Sequence, residues 1–378
     1  MAKNSNLSQA KAAKNDEFYT QYADIQKEVN AYIEYNPDVF RGKTILLPCD
    51  DPEWSNFTKF FAQNFEFFGL KKLISTSYAI ESKNYKTDWQ PTLFETENPL
   101  YNADKSRVKG KIFTLDHDTN TNGRIDINDL QWQYLDGDGD FRSAEVTALR
   151  DEADIIITNP PFSLFREFLA WIMAGQKQFA IIGNQNAITY KDVFPLIKEN
   201  KVWLGKGFTG GAGHFISLYE DYATAGDHKE GMIRVSGVVW FTNIEHGRRH
   251  QPLHLMTMAD NLKFNKKLKG LKEYQHYDNY DAIEVPFSDA IPSDYDGVMG
   301  VPITFLDKYC PEQFEIVGMC ENEDLYYLKT KVYTTAECKQ AYMNKFGKIG
   351  TYDLNASGVL IKNGIQEKVY QRILIRKK

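Results

Sequence analysis

Apolar positions along the chain fall into two periods. The run Ala153-Asp154-Ile155-Ile156-Ile157-Thr158 is almost continuously apolar and β-branched, as in a strand buried on both faces of a parallel sheet. It ends at Asn159-Pro160-Pro161-Phe162, whose prolines deny a sheet its amide donors. Ser163 to Ala174 then carries Leu164, Phe165, Phe168, Leu169 and Ile172 at helical spacing, with Ser163 placed as an N-cap. Lys43 to Pro48, Lys72 to Tyr78 and Phe179 to Ile182 read as further strands, Ile25 to Tyr35 as a helix, and Phe57, Phe60, Phe61 and Phe65 as the apolar face of another. Together they predict an α/β fold with a doubly wound sheet, in which ligands bind outside the carboxyl ends of the strands.

Composition narrows the class. The chain has 378 residues, long for one domain and suited to a large α/β core with a second lobe. Cys49, Cys310, Cys320 and Cys338 are scattered without a Cys-x-x-Cys pair, which argues against a zinc site or a disulfide framework. No signal-peptide pattern or long apolar span is seen, so a soluble, cytoplasmic protein with no membrane partner is expected. The net charge of -6 is unevenly placed. Between Thr114 and Glu145 eight acids face only Arg124 and Arg142, which holds the whole deficit, whereas His246 to Lys272 carries seven bases against Asp260. Basic charge concentrated in the second half suits a phosphate-binding surface, or a solvated helix face.

The tetrapeptide Asn159-Pro160-Pro161-Phe162 suits one chemistry in particular. The lone pair of a nucleobase's exocyclic amine is delocalised into the ring, so a methylating enzyme must hold that nitrogen through its hydrogens. The side-chain oxygen of Asn159 and the carbonyl of Pro160 supply two acceptors, and Phe162 would lie against a base flipped from the duplex. A strand-ending turn uses the same dipeptides. Asn-Pro-Pro-Phe after a buried strand resembles the catalytic motif of N6-adenine DNA methyltransferases.

The resemblance sharpens along the chain. Cys49-Asp50-Asp51-Pro52, followed by Ser55-Asn56-Phe57 and lacking the usual glycine-rich loop, is similar to the variant in the EcoRI-type adenine methyltransferase family. It implies a Rossmann-like S-adenosylmethionine-dependent sheet with an inserted acidic loop and a C-terminal target-recognition region. The boundaries expected are a flexible basic arm at 1–13, a catalytic domain at 14–200 and a DNA-binding region at 201–378. Lys14 to Thr20 resembles the segment that lies across the amino-acid end of the cofactor, which implies contacts from Tyr19 and Thr20; on the residues alone Thr20 is a helix cap. Cys49 and Asp50 are placed at the methionine end. Gly137 to Ser143 resembles the family's next segment, implying that Asp140 accepts from the cofactor adenine and Phe141 packs on its ring. Gly183 to Thr189, Trp240 to Asn243, Tyr277 to Ala282 and Gly297 to Phe305 continue the likeness. The implied partners are double-stranded DNA and a restriction endonuclease acting on the same site, with the enzyme a monomer and a palindrome such as GAATTC one candidate target.

Three stretches carry readings of their own. Asp118, Asn120, Asn122, Arg124 (through its carbonyl), Asp126 and Asp129 fall at calcium-loop positions 1, 3, 5, 7, 9 and 12, with Gly123 at 6. That predicts a bound calcium ion, while the same residues suit an Asx-turn-rich hairpin. Gly205-Lys-Gly-Phe-Thr-Gly-Gly-Ala-Gly213 reads as a mobile loop or a long hairpin. His246, His250 and His254 recur every four residues, but no acidic fourth ligand supports zinc. Arg248, Arg249, His250, Lys266 and Lys267 are taken as phosphate or base contacts. An RNA or protein-glutamine methyltransferase, and a non-catalytic DNA-binding module, are the alternatives.

Overall fold

The computed structural model describes residues 19–51, 55–79, 96, 99–208, 212–216 and 232–378. The basic arm at 1–13, Lys14 to Phe18, residues 52–54 and Thr209 to Gly211 of the glycine-rich stretch lie outside them. The chain forms two compact units, Met1–Gly247 and Arg248–Lys378. Strands beyond residue 201 complete the first unit's sheet, as expected of the region from 201 onward, and the division into units falls at 247/248.

That sheet has eight strands. Its members are β2 (Thr44–Leu47), β3 (Lys72–Ser77), β4 (Lys111–Leu115), β5 (Gln131–Tyr134), β6 (Ile155–Thr158), β7 (Gln178–Asn184), β8 (Trp203–Leu204) and β11 (Val238–Thr242), in the order β5-β4-β3-β2-β6-β7-β11-β8. The four central strands β3, β2, β6 and β7 are parallel and the flanking ones antiparallel. All four residues of β2 and of β6 are buried, as the unbroken β-branched runs require of central strands. From β2 the chain moves outward to β3, then returns to β6 on the other side. The winding therefore reverses between β2 and β6, which opens a crevice at their carboxyl ends.

Helix Asn56–Gln63 covers one face beside this crevice. Its rings Phe57, Phe60 and Phe61, with Phe65 of the next turn, are at most 3% exposed and join the main core with Ile45, Leu47 and Ile155. Each buried ring contributes roughly 2–3 kcal/mol by area, so this aromatic face fixes the helix against the sheet. Two cap expectations are corrected. Helix Tyr22–Tyr35 has Gln21 at its N-cap, and Thr20 instead belongs to β1 (Tyr19–Thr20). Ser163 lies inside a 3-10 turn, Phe162–Leu164, and helix Phe165–Ala174 starts after Leu164; the two prolines delay the α-helix by a turn.

A small sheet, β1-β9-β10, joins β1 to β9 (Ala212–Ile216) and β10 (Met232–Ser236), with Thr20 opposite Phe215. In the second unit β12 (Ile283–Glu284), β13 (Met299–Pro302), β14 (Phe314–Met319) and β17 (Arg372–Lys377) form a sheet in the order β12-β13-β17-β14, and β15 (Val359–Lys362) pairs with β16 (Ile365–Lys368). A buried ion pair, Arg372 Nη2 to Glu284 Oε1 at 2.6 Å, ties β17 to β12.

Candidate active site

Asp50, just beyond β2, is 5% exposed and held through backbone and side chain. Its N–H donates to the Thr76 carbonyl at 2.9 Å, and its carbonyl accepts from the hydroxyls of Ser75 and Thr58. One hydroxyl donates to each carboxylate oxygen at 2.5 Å, Ser55 to Oδ1 and Thr158 to Oδ2. A buried carboxylate stays tolerable where such bonds replace water, and its oxygens can each accept a further donor from a cationic ligand. Ser55 is also the N-cap of helix Asn56–Gln63, accepting from Phe57 N at 3.0 Å.

Across the crevice, Asn159 follows β6. Its amide nitrogen donates to Thr20 Oγ1 at 3.3 Å, and the Thr20 carbonyl accepts from Asn56 Nδ2 at 2.8 Å. The bond to Thr20 sets which way the amide faces, with its oxygen at the opposite end. Of the two proline carbonyls, that of Pro161 accepts from Leu164 N at 2.9 Å and shapes the turn. Phe162 is half-buried and packs on the main core.

Tyr19, Thr20, Cys49, Asp50 and Asn159 line a single cleft together with Ser55 and Phe57. The sequence offers the last two only in the Ser55-Asn56-Phe57 motif and on the apolar helix face, and Thr158 only in the β6 run, none of them as a site residue. The signal for Ser55 was present, since a serine ahead of an apolar helical run marks an N-cap. Nothing in the sequence marks Thr158, whose partner is 108 positions away.

Other candidates fall elsewhere. The segment Gly137 to Phe141 lies along the end of β3, with Asp138 O accepting from Ala79 N at 2.8 Å. The Asp140 carboxylate is gripped by Arg142 at 2.6 and 2.9 Å, and Arg142 also reaches Glu167 at 3.0 Å. Phe141 is not brought to the cleft: it is fully buried, edge-to-face with Phe168 at 5.0 Å and Trp171 at 5.6 Å. Helix Phe165–Ala174 offers that ring an aromatic face, and burial against it prevails over exposure.

In the acidic loop between β4 and β5, the Asp129 carboxylate accepts from Thr119 N and Oγ1, Asn120 N and Asp126 N at 2.8–3.2 Å. These bonds, the one from the Asp126 backbone first, hold its carboxyl below the usual range. Asp118 accepts from Asn122 N and Gly123 N, Asn120 from Asn122 N, Asn122 from Arg124 N, and Asp126 from Asn128. The loop is rich in Asx turns, with Ile125, Ile127 and Leu130 packed on the core. Among the described residues no group of three or more His, Cys, Asp and Glu side chains is gathered to hold a metal.

The basic candidates are largely engaged with acids. Arg248 meets Asp307 at 2.5 Å, His250 meets Glu312 at 2.8 Å and Lys267 meets Asp289 at 2.8 Å, while Lys266 is exposed. Arg249 is 4% exposed and so is not presented to a phosphate. His246, also buried, bonds the Leu204 carbonyl at 2.9 Å, and the residues after it form a 3-10 turn instead of the helix a zinc face would need.

The start of the glycine-rich stretch is clamped. Glu28 of helix Tyr22–Tyr35, 1% exposed, accepts from Tyr32 Oη at 2.6 Å and Gly207 N at 3.2 Å, while Lys27 Nζ donates to the Gly207 carbonyl at 2.8 Å. Gly205 must lack a side chain, because a Cβ there would sit 1.8 Å from Glu28 Oε1. Burial raises the Glu28 carboxyl to about 7, against the lowering influence of its hydrogen bonds and of Lys27. The fold therefore favours the protonated form: the stabilisation is full below the ordinary carboxylate range and is lost as pH rises through about 7. The wild type is expected to lose up to about 3 kcal/mol relative to Glu28→Gln between pH 5 and 8.5. Chemical denaturation across that range checks it, and a pH-independent difference would reject the assignment.

A large mixed α/β sheet with Asn-Pro-Pro-Phe at the carboxyl end of a central strand is the arrangement of a methyltransferase. Residues 6–378 match the family described as adenine-specific methyltransferase EcoRI. The chain is 41% identical over 328 residues to the type II methyltransferase M.EcoRI of Escherichia coli, covering 85% of this chain and 91% of that one. It is 34% identical over 336 residues to the type II methyltransferase M.MpnI of Mycoplasma pneumoniae (86% and 90% covered). To M.MgeORF184P of Mycoplasma genitalium it is 33% identical over 377 residues (98% of each). No solved structure matches. The chain belongs to the EcoRI-type family of adenine-specific methyltransferases, and it is a DNA methyltransferase enzyme. Membership implies S-adenosylmethionine as methyl donor.

Proposed function

We propose that the cleft between β2 and β6 holds S-adenosylmethionine and a flipped adenine side by side, and that Asn159 directs methylation of the adenine N6. The observation that carries this reading is the single cleft shared by Asp50 and Asn159, which follow the two strands at which the winding reverses. The donor set fits the cofactor: a buried carboxylate for an ammonium, hydroxyls at Thr20 and Ser55, and aromatic walls at Tyr19 and Phe57. The sheet is then Rossmann-like, with the acidic hairpin as an insert on it. Bound there, the cofactor supplies an electrophilic methyl on a sulfonium.

The residues do the rest by position and polarisation. Asp50 anchors the cofactor's amino group, with Tyr19, Thr20 and Cys49 beside it; Asp140 accepts from the amine of the cofactor's own adenine. The Asn159 oxygen and the Pro160 carbonyl accept the two hydrogens of the target amine, which turns its lone pair toward the methyl. Pro161 ends the strand and Phe162 stacks on the base. The second unit reads the target duplex, with Arg248, His250, Lys266 and Lys267 on phosphates or base edges. An enzyme of this kind protects host or phage DNA in the cytoplasm, beside an endonuclease that cuts the same site. Among the described residues no helix is long and apolar enough to cross a membrane.

Transfer of labelled methyl from S-adenosylmethionine to unmethylated plasmid DNA, followed by modification-sensitive sequencing, tests the reading. N6-methyladenine at one short motif is the expected product, and label confined to RNA or protein would overturn it. No step requires an ion at residues 118–129. Treatment with a chelator is therefore expected to leave the initial rate within about twofold, any effect appearing in the melting temperature; full loss of activity with an intact fold would contradict this.

A further inference from the structure

We propose that Thr158 is a positioning residue that ties Asp50 to the catalytic loop across the crevice, so that the cofactor and adenine sites tighten together; this rests on the site reading above. Among the described residues the register of β2 with β6 stops short of the cleft. β2 and β6 pair only at Ile45–Ile155 and Leu46–Ile156. Beyond those pairs each strand end bonds away from the other: Asp50 N donates to Thr76 on the β3 side, and Thr158 stays in register with Ile181 of β7. At the level of the cleft the Thr158 hydroxyl bridges the gap, donating to Asp50 Oδ2 at 2.5 Å.

Thr158 suits the task in three ways. It is fully buried, so water does not compete for its hydroxyl. It is β-branched, so its χ1 is stiff and the direction of the hydroxyl is set by the strand. It directly precedes Asn159, whose amide is oriented from the other end by Thr20. A ligand that tightens Asp50 thus draws on the residue from which the catalytic loop departs. Ser55 donates to the other carboxylate oxygen but comes from the segment that follows Asp50 itself. It orients the carboxylate without spanning the crevice.

The experiment compares Thr158→Val and Thr158→Ser with the wild type in the full chain. It reads the Kd for S-adenosylhomocysteine by titration calorimetry and kcat for methyl transfer to unmethylated plasmid DNA. Thr158→Val is expected to weaken S-adenosylhomocysteine about tenfold or more and to lower kcat about tenfold, the size of losing one hydrogen bond to a charged group. Thr158→Ser should return both to within about threefold. The proposal is overturned if Thr158→Val leaves both within about twofold, or if serine is as damaging as valine. Should the valine variant not fold, Thr158→Cys, close in size with a weak S–H donor, takes its place under the same criteria. A wild type that neither binds S-adenosylhomocysteine nor methylates DNA would instead bring down the site reading itself, and this proposal with it.

Discussion

Asn159→Ala is expected to bind S-adenosylmethionine within about threefold of the wild type and to lose methyl transfer by roughly 10³-fold. Loss of one preorganised polar partner at a reacting centre costs about 10²–10³ in rate, and here the same side chain also positions the amine against the methyl. The fold should survive. Asn159 lines the cleft, its amide nitrogen bonded to Thr20 Oγ1, and Thr20 keeps its bond from Asn56 and its place opposite Phe215. Single-turnover transfer to plasmid DNA, with cofactor affinity measured in parallel, checks this. Retention of wild-type turnover would remove Asn159 from the chemistry.

Asp50→Ala gives the opposite signature. Cofactor affinity is expected to fall by at least about 10²-fold, because the one buried carboxylate of the cleft lining is gone and the hydroxyls of Ser55 and Thr158 lose their acceptor. Two stranded hydroxyls also lower the unfolding free energy by about 1–3 kcal/mol each. Asp50→Asn keeps the shape but turns an amide N–H toward one of two hydroxyl donors, and should lie between the two. Calorimetric titration with S-adenosylmethionine and a denaturation curve separate the binding loss from the stability loss. A variant that binds normally would move the amino-group anchor to another residue.

Much of this site was legible before the fold was known. The isoleucine run of β6 and its abrupt end at two prolines placed Asn159 beyond a central strand, and the same logic placed Asp50 beyond β2. Local patterns suffice there, since strand burial and strand ending are properties of a few consecutive residues. The resemblance added Tyr19, Thr20 and Cys49, all of which line the cleft. Phe141 shows the limit. Its segment does run along the end of β3, but the ring turns into a nest of Phe168 and Trp171 that only the packed helix supplies. The basic cluster is similar: seven bases in one stretch advertise a phosphate surface, yet Arg248, His250 and Lys267 meet acids 22 to 62 positions away.

The sequence by itself determined the strands β2, β3, β6 and β7 and the point at which β6 ends, because these follow from short-range periodicity and from proline's missing donor. The tertiary structure decided which residues meet. Thr158 holds Asp50 across 108 positions, Glu28 clamps Gly207 across 179, and Thr20 orients Asn159 across 139. Contacts at such separations depend on how the sheet reverses its winding between β2 and β6. That reversal is set by the packing of the whole core, so no local pattern in the chain encodes it.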